Sequence, residues 1–567
     1  MYMRKLLLSA ACLLMLTGAK ALAADFETAK DAVKNMGLGW NLGNTLDAND
    51  GTRKPDVVAS ETCWGQPVTK PELMLLMRDA GFGAIRVPVT WYPHMNEAGT
   101  VDEAWMKRVH EVVDYVLDAG LYCILNVHHD TGAADHAWLI ADEDNYAKTK
   151  DRYEVLWKQI AEEFKDYGDK LLFEAYNEML DSKRSWCFAS FAAQGQWDAA
   201  IAKSAYAAIN SYAQSFVDVV RASGGNNANR NLIVNTYAAA CGSGNWNSHL
   251  KDPLTELNLP TDITENHLIF EVHNYPTIEN GLDNAKKELD ATMESLKTHL
   301  VAKGAPVIIG EWGTSNVDNG GDYANRRADM IEFLDYFVKK AKENDMATFY
   351  WMGLSDGAAR SLAVFNQADL AETIAKAYHG SNYQGKWPSM DDLELEYIVK
   401  YTGDWQELNL YSGAALKVSE YKAIRLELAE MPAANALQIK VYGDVVNNSA
   451  KEGYYPLEKE GLNTTVTFNS SQTGETITRI TLQTAVGATE AKVSRAVLIK
   501  SDNTEEETEL SVFWGCTLES QVKQPTAINT PKTAATADDN IYNLAGQRVS
   551  SPRKGIYIRN GKKYAVK

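Results

Sequence analysis

The sequence predicts an α/β chain: a parallel (β/α)8 barrel, then an antiparallel β-sandwich module, then a short β-rich tail. Three observations carry this. Eight short apolar segments between Gly37 and Trp351 alternate with amphipathic helical stretches, the chain order of a parallel sheet wrapped in helices. Seven of those segments run straight into a polar cluster, and in such a barrel the strand ends on one face carry the chemistry. Beyond about residue 383 the helical period gives way to short alternating strands split by turn residues, as in a sandwich. A chain of 567 residues is too long for one ordinary domain.

The N-terminus reads as a secretory signal peptide over residues 1–23. Met1-Tyr2-Met3-Arg4-Lys5 is positive, Leu6 to Leu16 is apolar, and Ala21-Leu22-Ala23 fits a cleavage site. The run is too short for a membrane anchor, so no membrane insertion is expected. A lipoprotein reading through Cys12 is weak, because Cys12 falls very early and Ser9 stands where such signals carry Leu. The formal charge is −19, and cleavage removes three cations and no acid, leaving about −22. That balance argues against nucleic acid or anionic membrane as partner and is indifferent to an uncharged polysaccharide. Cys63, Cys123, Cys187, Cys241 and Cys516 follow no disulfide or zinc pattern; a Cys187–Cys241 pair is open to a protein outside the cytoplasm.

Residues 24–383 form the predicted barrel. Its strands are placed at Gly37–Asn41, Ala84–Pro88, Tyr122–Val127, Leu171–Ala175, Leu232–Asn235, Leu268–His273, Val307–Ile309 and Thr348–Trp351. Between them, Asp102 to Ala119 shows the helical stripe Trp105, Val109, Val112, Val113, Val116. Ala119-Gly120 and Lys303-Gly304 close helices with the left-handed glycine such ends prefer.

Two strand ends matter most. Leu171-Leu172-Phe173 leads into Glu174-Ala175-Tyr176-Asn177-Glu178, and Val307-Ile308-Ile309 leads into Gly310-Glu311-Trp312. A carboxylate at the outlet of a buried strand is costly unless it is hydrogen-bonded or used. Two of them are what glycosidic cleavage needs: one protonates the leaving oxygen, the other attacks the sugar or activates water. The remaining clusters are Asn41-Leu42-Gly43-Asn44, Arg86, His128-His129-Asp130, His273-Asn274-Tyr275 and Trp351. If strand alternation persists, Glu174, Tyr176 and Glu178 share a face, so Glu174 competes with Glu178; a buried, hydrogen-bonded structural role suits Glu174 better.

These blocks resemble glycoside hydrolase family 5, retaining TIM-barrel enzymes with glutamates on strands four and seven. Gly39-Trp40-Asn41-Leu42-Gly43-Asn44 and Glu61-Thr62-Cys63-Trp64-Gly65-Gln66-Pro67 are similar to the fourth subfamily, mostly endoglucanases and xyloglucanases; Cys63 stands where a small residue is expected. The resemblance implies Glu178 as acid/base and Glu311 as nucleophile. It implies Asn177 as partner of the sugar 2-OH, Arg86 and Tyr275 as holders of the nucleophile, His128 and His273 beside the carboxylates, and Trp351 as a stacking floor. Asn44, Trp64 and His129 complete the expected substrate-binding set. The roles require Glu311 ionised, which Arg86 favours, and Glu178 protonated, which partial burial and the charge of Glu311 favour. A retaining pair should stand about 5–5.5 Å apart, an inverting pair about 6.5–9.5 Å. The resemblance further implies a strained cis peptide at Trp351–Met352.

Other readings compete at several positions. Adjacent histidines on a strand point opposite ways, and His128-His129 lack an accompanying ligand set, so no metal and no cofactor is expected. Among Trp64, Trp91, Trp138 and Trp312, core packing suits Trp91, while Trp64 and Trp138 sit in loops where sugar stacking is expected.

Residues 384–524 form the sandwich, with Trp387, Trp405 and Trp514 among its aromatics. It resembles modules appended to secreted glycan hydrolases, and either carbohydrate binding or a spacer role fits. Residues 525–540 read as a linker. Residues 541–567, with an Asn560-Gly561 hairpin turn, are similar to C-terminal sorting domains of type IX secretion. The expectation is a secreted or cell-surface monomer, with periplasmic residence open, acting as an endo-β-1,4-glucanase on β-glucan. Xyloglucan, mixed-linkage glucan or mannan preference is the near alternative, and a non-catalytic glycan-binding protein the distant one.

Overall fold

The computed structural model describes residues 26–567 except 54–55, 192–196, 315–322, 394, 431, 433–435, 447–448, 458–460, 486, 523–540, 543–554, 560–561 and 567. The signal-peptide and linker expectations, and the hairpin turn residues, lie outside the described residues. The chain divides into two units, Met1–Leu393 and Glu394–Lys567. The first runs ten residues past the boundary expected at 383/384. Trp387 belongs there, its indole donating to the Ala80 carbonyl at 3.1 Å.

In the first unit eight strands close into a parallel barrel in sequence order: β1 (Leu38–Asn41), β2 (Ala84–Val87), β3 (Tyr122–Asn126), β4 (Leu171–Glu174), β5 (Leu232–Ala240), β6 (Leu268–Asn274), β7 (Val307–Trp312) and β8 (Ala347–Trp351). Alternation sorts their side chains. One set faces outward into the main core under the helices, where the helix Glu103–Asp118 buries the predicted stripe. The other faces the axis in layers. The lower layer is apolar: Ala84, Ile124, Leu172, Ile233, Ile269, Ile308 and Phe349, underpinned by Ala29, Val33 and Met36 of the helix Ala29–Met36. Gly39 lacks the Cβ that would collide with the Phe349 ring at 2.2 Å. Two residues further along the strands the same alternation places Asn41, Arg86, Asn126, Glu174, Asn235 and Glu271, all fully buried.

The second unit is a sandwich of two antiparallel sheets. Its strands are β9 (Leu395–Tyr401), β10 (Glu407–Tyr411), β11 (Leu416–Lys417), β12 (Tyr421–Glu430), β13 (Leu437–Val446), β14 (Ser449–Pro456), β15 (Asn463–Thr467), β16 (Thr476–Ile477), β17 (Arg479–Thr484), β18 (Thr489–Lys500), β19 (Glu505–Glu507), β20 (Ser511–Trp514) and β21 (Cys516–Val522). One sheet runs β14-β13-β17-β10-β20; the other, six-stranded, runs β15-β12-β18-β9-β21 with β19 paired to β18, and β11 and β16 form a separate two-stranded ribbon, with an aliphatic core between the two large sheets. In the tail, β22 (Ile541–Tyr542), β23 (Gly555–Arg559) and β24 (Lys562–Val566) pair antiparallel, with Arg559 opposite Lys562.

Candidate active site

Arg86 organises the upper layer of the barrel. Its Nε and Nη2 donate to Glu174 at 2.6 and 2.8 Å, Nη1 to Glu311 at 2.7 Å and to Asn41 at 3.0 Å, and Nη2 also to Asn177 at 2.8 Å. The bidentate partner is therefore Glu174, a fully buried structural carboxylate that also accepts from Asn126 at 3.0 Å. Burial would raise Glu174, but the charge and hydrogen bonds of Arg86 outweigh it and hold it below the usual carboxylate range. With Glu271 3.3 Å from its Nε, Arg86 thus serves three carboxylates, where the sequence pointed to Glu311 alone.

Glu311 reaches the site through irregular pairing. Strict alternation would send it outward with Ile309. Register shifts between Val272 and His273 on β6, and between Ile309 and Trp312 along β7, turn it toward the axis, as strand bulges do. Besides Arg86, it accepts from the Tyr275 hydroxyl at 2.7 Å. Although the residue is 40% exposed, desolvation of its hydroxyl end first, then the negative charges of Glu311 and Glu178, pushes Tyr275 above an ordinary phenol, so it remains a donor. Gly310 is forced by its neighbour: a Cβ there would fall 1.6 Å from Glu271 Oε1.

Glu178 lies past the end of β4 and lines up opposite. His273 Nδ1 stands 2.8 Å from Glu178 Oε1 and 3.4 Å from Glu311 Oε2, and its Nε2 is 3.4 Å from Glu271. Donor atoms of Glu178, His273 and Glu311 all fall within 4.8 Å of one another. Burial would lower His273, but the Glu311 charge and hydrogen bonds to Glu178 and Glu271 raise it to about 10. Glu271 is pushed up to about 7 by burial and by the charge of Glu174. His128, buried and beside the cations Arg86 and His273, is held well below its ordinary value and stays neutral; its Nε2 is 3.9 Å from Glu311.

The aromatic walls divide between use and support. Trp351 lies parallel to the His128 ring, centroids 5.9 Å apart, and Gly43 makes room for its indole. Trp64 is 40% exposed, donates to the Asn49 carbonyl at 2.7 Å and tilts against His129 at 5.3 Å. Trp138 is not a free platform: its indole donates to Asp130 at 2.6 Å and Arg152 covers the ring at 4.4 Å. Trp91 is buried, and Trp312 stacks on Phe337 at 4.1 Å.

Several sequence expectations fail for local reasons. Tyr176 does not share a face with Glu174, because β4 ends at Glu174; the Tyr176 hydroxyl instead donates to the Asn235 carbonyl at 3.1 Å. His128 and His129 do not diverge, because β3 ends at Asn126. Their rings meet at 4.4 Å, and with Asp47 they bring donor atoms within 4.8 Å, a cluster that sequence reasoning discounted. Asn44 occupies a left-handed turn at φ 60, and Asn41 is the residue that joins the charged network. The Trp351–Met352 peptide is trans, and the chain turns instead through Met352 at φ 24. Cys187 and Cys241 are not paired. Sequence reasoning also passed over Glu271, although its position two residues before His273 on β6 puts both on one face.

A pair of carboxylates this close, one fixed by a guanidinium and a phenol, the other joined to an imidazole, is equipped to open and reclose an acetal. The family model for Cellulase (glycosyl hydrolase family 5) matches residues 48–356. The chain belongs to glycosyl hydrolase family 5. It is a glycoside hydrolase and is 32% identical over 370 residues to Endoglucanase B of Neocallimastix patriciarum, covering 62% of this chain and 71% of that protein. A solved GH5-4 broad specificity endoglucanase from an uncultured bacterium is 63% identical, with TM-score 0.61, over 63% of this chain and 96% of that one. A family 5 enzyme of Prevotella bryantii B14, solved with a xyloglucan tetradecasaccharide, is 43% identical, with TM-score 0.57, over 62% and 99%.

Proposed function

We propose that this family 5 hydrolase is a retaining endo-β-1,4-glucanase that cleaves β-glucan by double displacement. The observation that carries the reading is the Glu178–His273–Glu311 cluster, whose donor atoms lie within 4.8 Å. So close an approach of the two acids supports the short spacing of a retaining pair over the about 6.5–9.5 Å of an inverting one. Glu311, fixed by Arg86 and Tyr275, attacks the anomeric carbon. Glu178 protonates the departing oxygen and then deprotonates the incoming water. Asn177 gives its Oδ1 to Arg86, which leaves its amide NH2 to meet the sugar 2-OH. Trp351 and Trp64 stack on sugar rings.

Xyloglucan is a second favoured substrate, because the Prevotella bryantii relative was captured with it. The signal-like N-terminus favours export and the tail favours the cell surface; no helix among the described residues is long and apolar enough to cross a membrane. A monomer suffices, since every side chain assigned a role comes from one chain.

A panel of β-1,4-glucan, mixed-linkage glucan, xyloglucan and mannan, with product analysis and the anomeric configuration followed by NMR, tests this. Retention with internal cleavage is expected; inversion, or no turnover of any of the four, rejects it. A chelator should leave turnover intact, and its loss would reassign one of the two donor clusters to a cation.

A further inference from the structure

The two outer faces of the sandwich differ. On the six-stranded side the outward residues form solvated ion pairs, such as Arg495–Glu427 at 2.9 Å, Lys492–Glu430 at 2.9 Å and Lys400–Glu519 at 3.0 Å. On the five-stranded side Leu408, Leu410, Ile439, Val441, Ile480 and Leu482 enter the core, so their neighbours face outward. Yet those neighbours are sunken: Glu407 and Asn409 are each 6% exposed, Gln483 4% and Thr481 0%.

Glu407, Thr481 and Gln483 form a connected hydrogen-bonded floor. Glu407 accepts from Tyr442 at 2.7 Å, Thr481 at 2.8 Å and Gln483 at 2.7 Å, and Gln438 donates on to Gln483 at 2.8 Å. Asn409 donates to Ser511 at 3.1 Å, but its Oδ1 is buried without a partner. The charges on this face are already answered. Lys440 is 3.2 Å from Glu452 and lies over Tyr442, and Arg479 lies 3.7 Å over the Phe513 ring. Exposed rings stand along both edges: Tyr454, opposite Lys440 on β14, is 50% exposed, and Trp514, opposite Glu407 on β20, is 57% exposed.

We infer that this face of the five-stranded sheet is a second, non-catalytic binding site for a single strand of uncharged β-glucan. Its hydroxyls exchange hydrogen bonds with the half-buried amide of Gln438, while Tyr454 and Trp514 stack on sugar rings. Compensated charge disfavours an ionic ligand. The choice of glucan rests on the proposed function; the existence of the site does not.

Isothermal titration of the full chain carrying Glu311→Gln, with a soluble β-1,4-glucan oligosaccharide, decides it. Two sites per chain are expected. Adding Trp514→Ala or Tyr454→Ala should weaken one site about tenfold each and leave the other untouched; both side chains are exposed enough to be cut without unfolding the sandwich. One site per chain, unchanged by either substitution, overturns the inference, as does a sedimenting dimer in which a second copy covers this face. Full hydrolysis by the Glu311→Gln chain with two sites still present would remove the catalytic reading alone.

Discussion

Glu178 and Glu311 are the same residue in opposite surroundings. The Glu311 side chain is 6% exposed and is held by Arg86 at 2.7 Å, Tyr275 at 2.7 Å and His273 at 3.4 Å. The Glu178 side chain is 23% exposed, and its close partner is His273 at 2.8 Å. A group that must stay charged and fixed while it attacks needs cations and donors around it. A group that must give up a proton and recover it needs access to water and few fixed partners. The neighbours, rather than the residue type, divide the labour.

Substitution can break that contrast, and the largest effect belongs to Glu311, the proposed nucleophile. Glu311→Gln should lower kcat by about 10^4-fold or more, the scale reached when a nucleophile is removed, equally for polymeric substrates and for activated aryl glycosides. Glu178→Gln should cost about 10^2–10^4-fold on polymeric glucan, the usual worth of a general acid. Its deficit should shrink in the first turnover of an aryl glycoside, whose leaving group needs no proton. Equal deficits for both variants on both substrates would erase the distinction. Tyr275→Phe removes one donor to a charged oxygen and should lower kcat/KM by about 10–100-fold, with the change in kcat rather than KM.

The smallest effect concerns His273, which bridges the pair. Its value in the fold, about 10, lies above the ordinary 6.5. Its ionic contribution is therefore complete below about pH 6.5 and is lost as pH climbs toward about 10. The melting temperature of the native chain should fall more steeply across that window than that of His273→Gln, by roughly 2 °C. Parallel curves would show that the bridge carries no charge.

Much of the site was legible because an apolar run that opens into polar residues is a local signal. Glu311, Arg86, Tyr275, His128, Asn177 and Trp351 could be picked out as polar residues at the ends of apolar runs, and their order matched a known pattern. Glu174 was legible as a structural carboxylate for the same reason. Alternation, by contrast, failed where strands stop or slip, as β7 does at Glu311. The end of β4 separated Tyr176 from Glu174, the end of β3 brought His128 and His129 together, and Trp138 was withdrawn from the groove by Asp130 and Arg152, residues whose proximity no spacing announces.

The sequence by itself determined the barrel and the module after it, and it marked the two carboxylates that the proposed reaction uses, because apolar periodicity and the chemistry of a strand outlet are properties of neighbouring residues. Tertiary structure decided which oxygen each donor serves: that Arg86 is shared among Glu174, Glu271 and Glu311, that His273 spans both acids with Glu271 behind it, and that one sandwich face is sunken and polar. Those outcomes depend on closing a ring of strands and stacking two sheets, which bring together side chains hundreds of residues apart, or on strands far apart in sequence, at distances of a few ångströms.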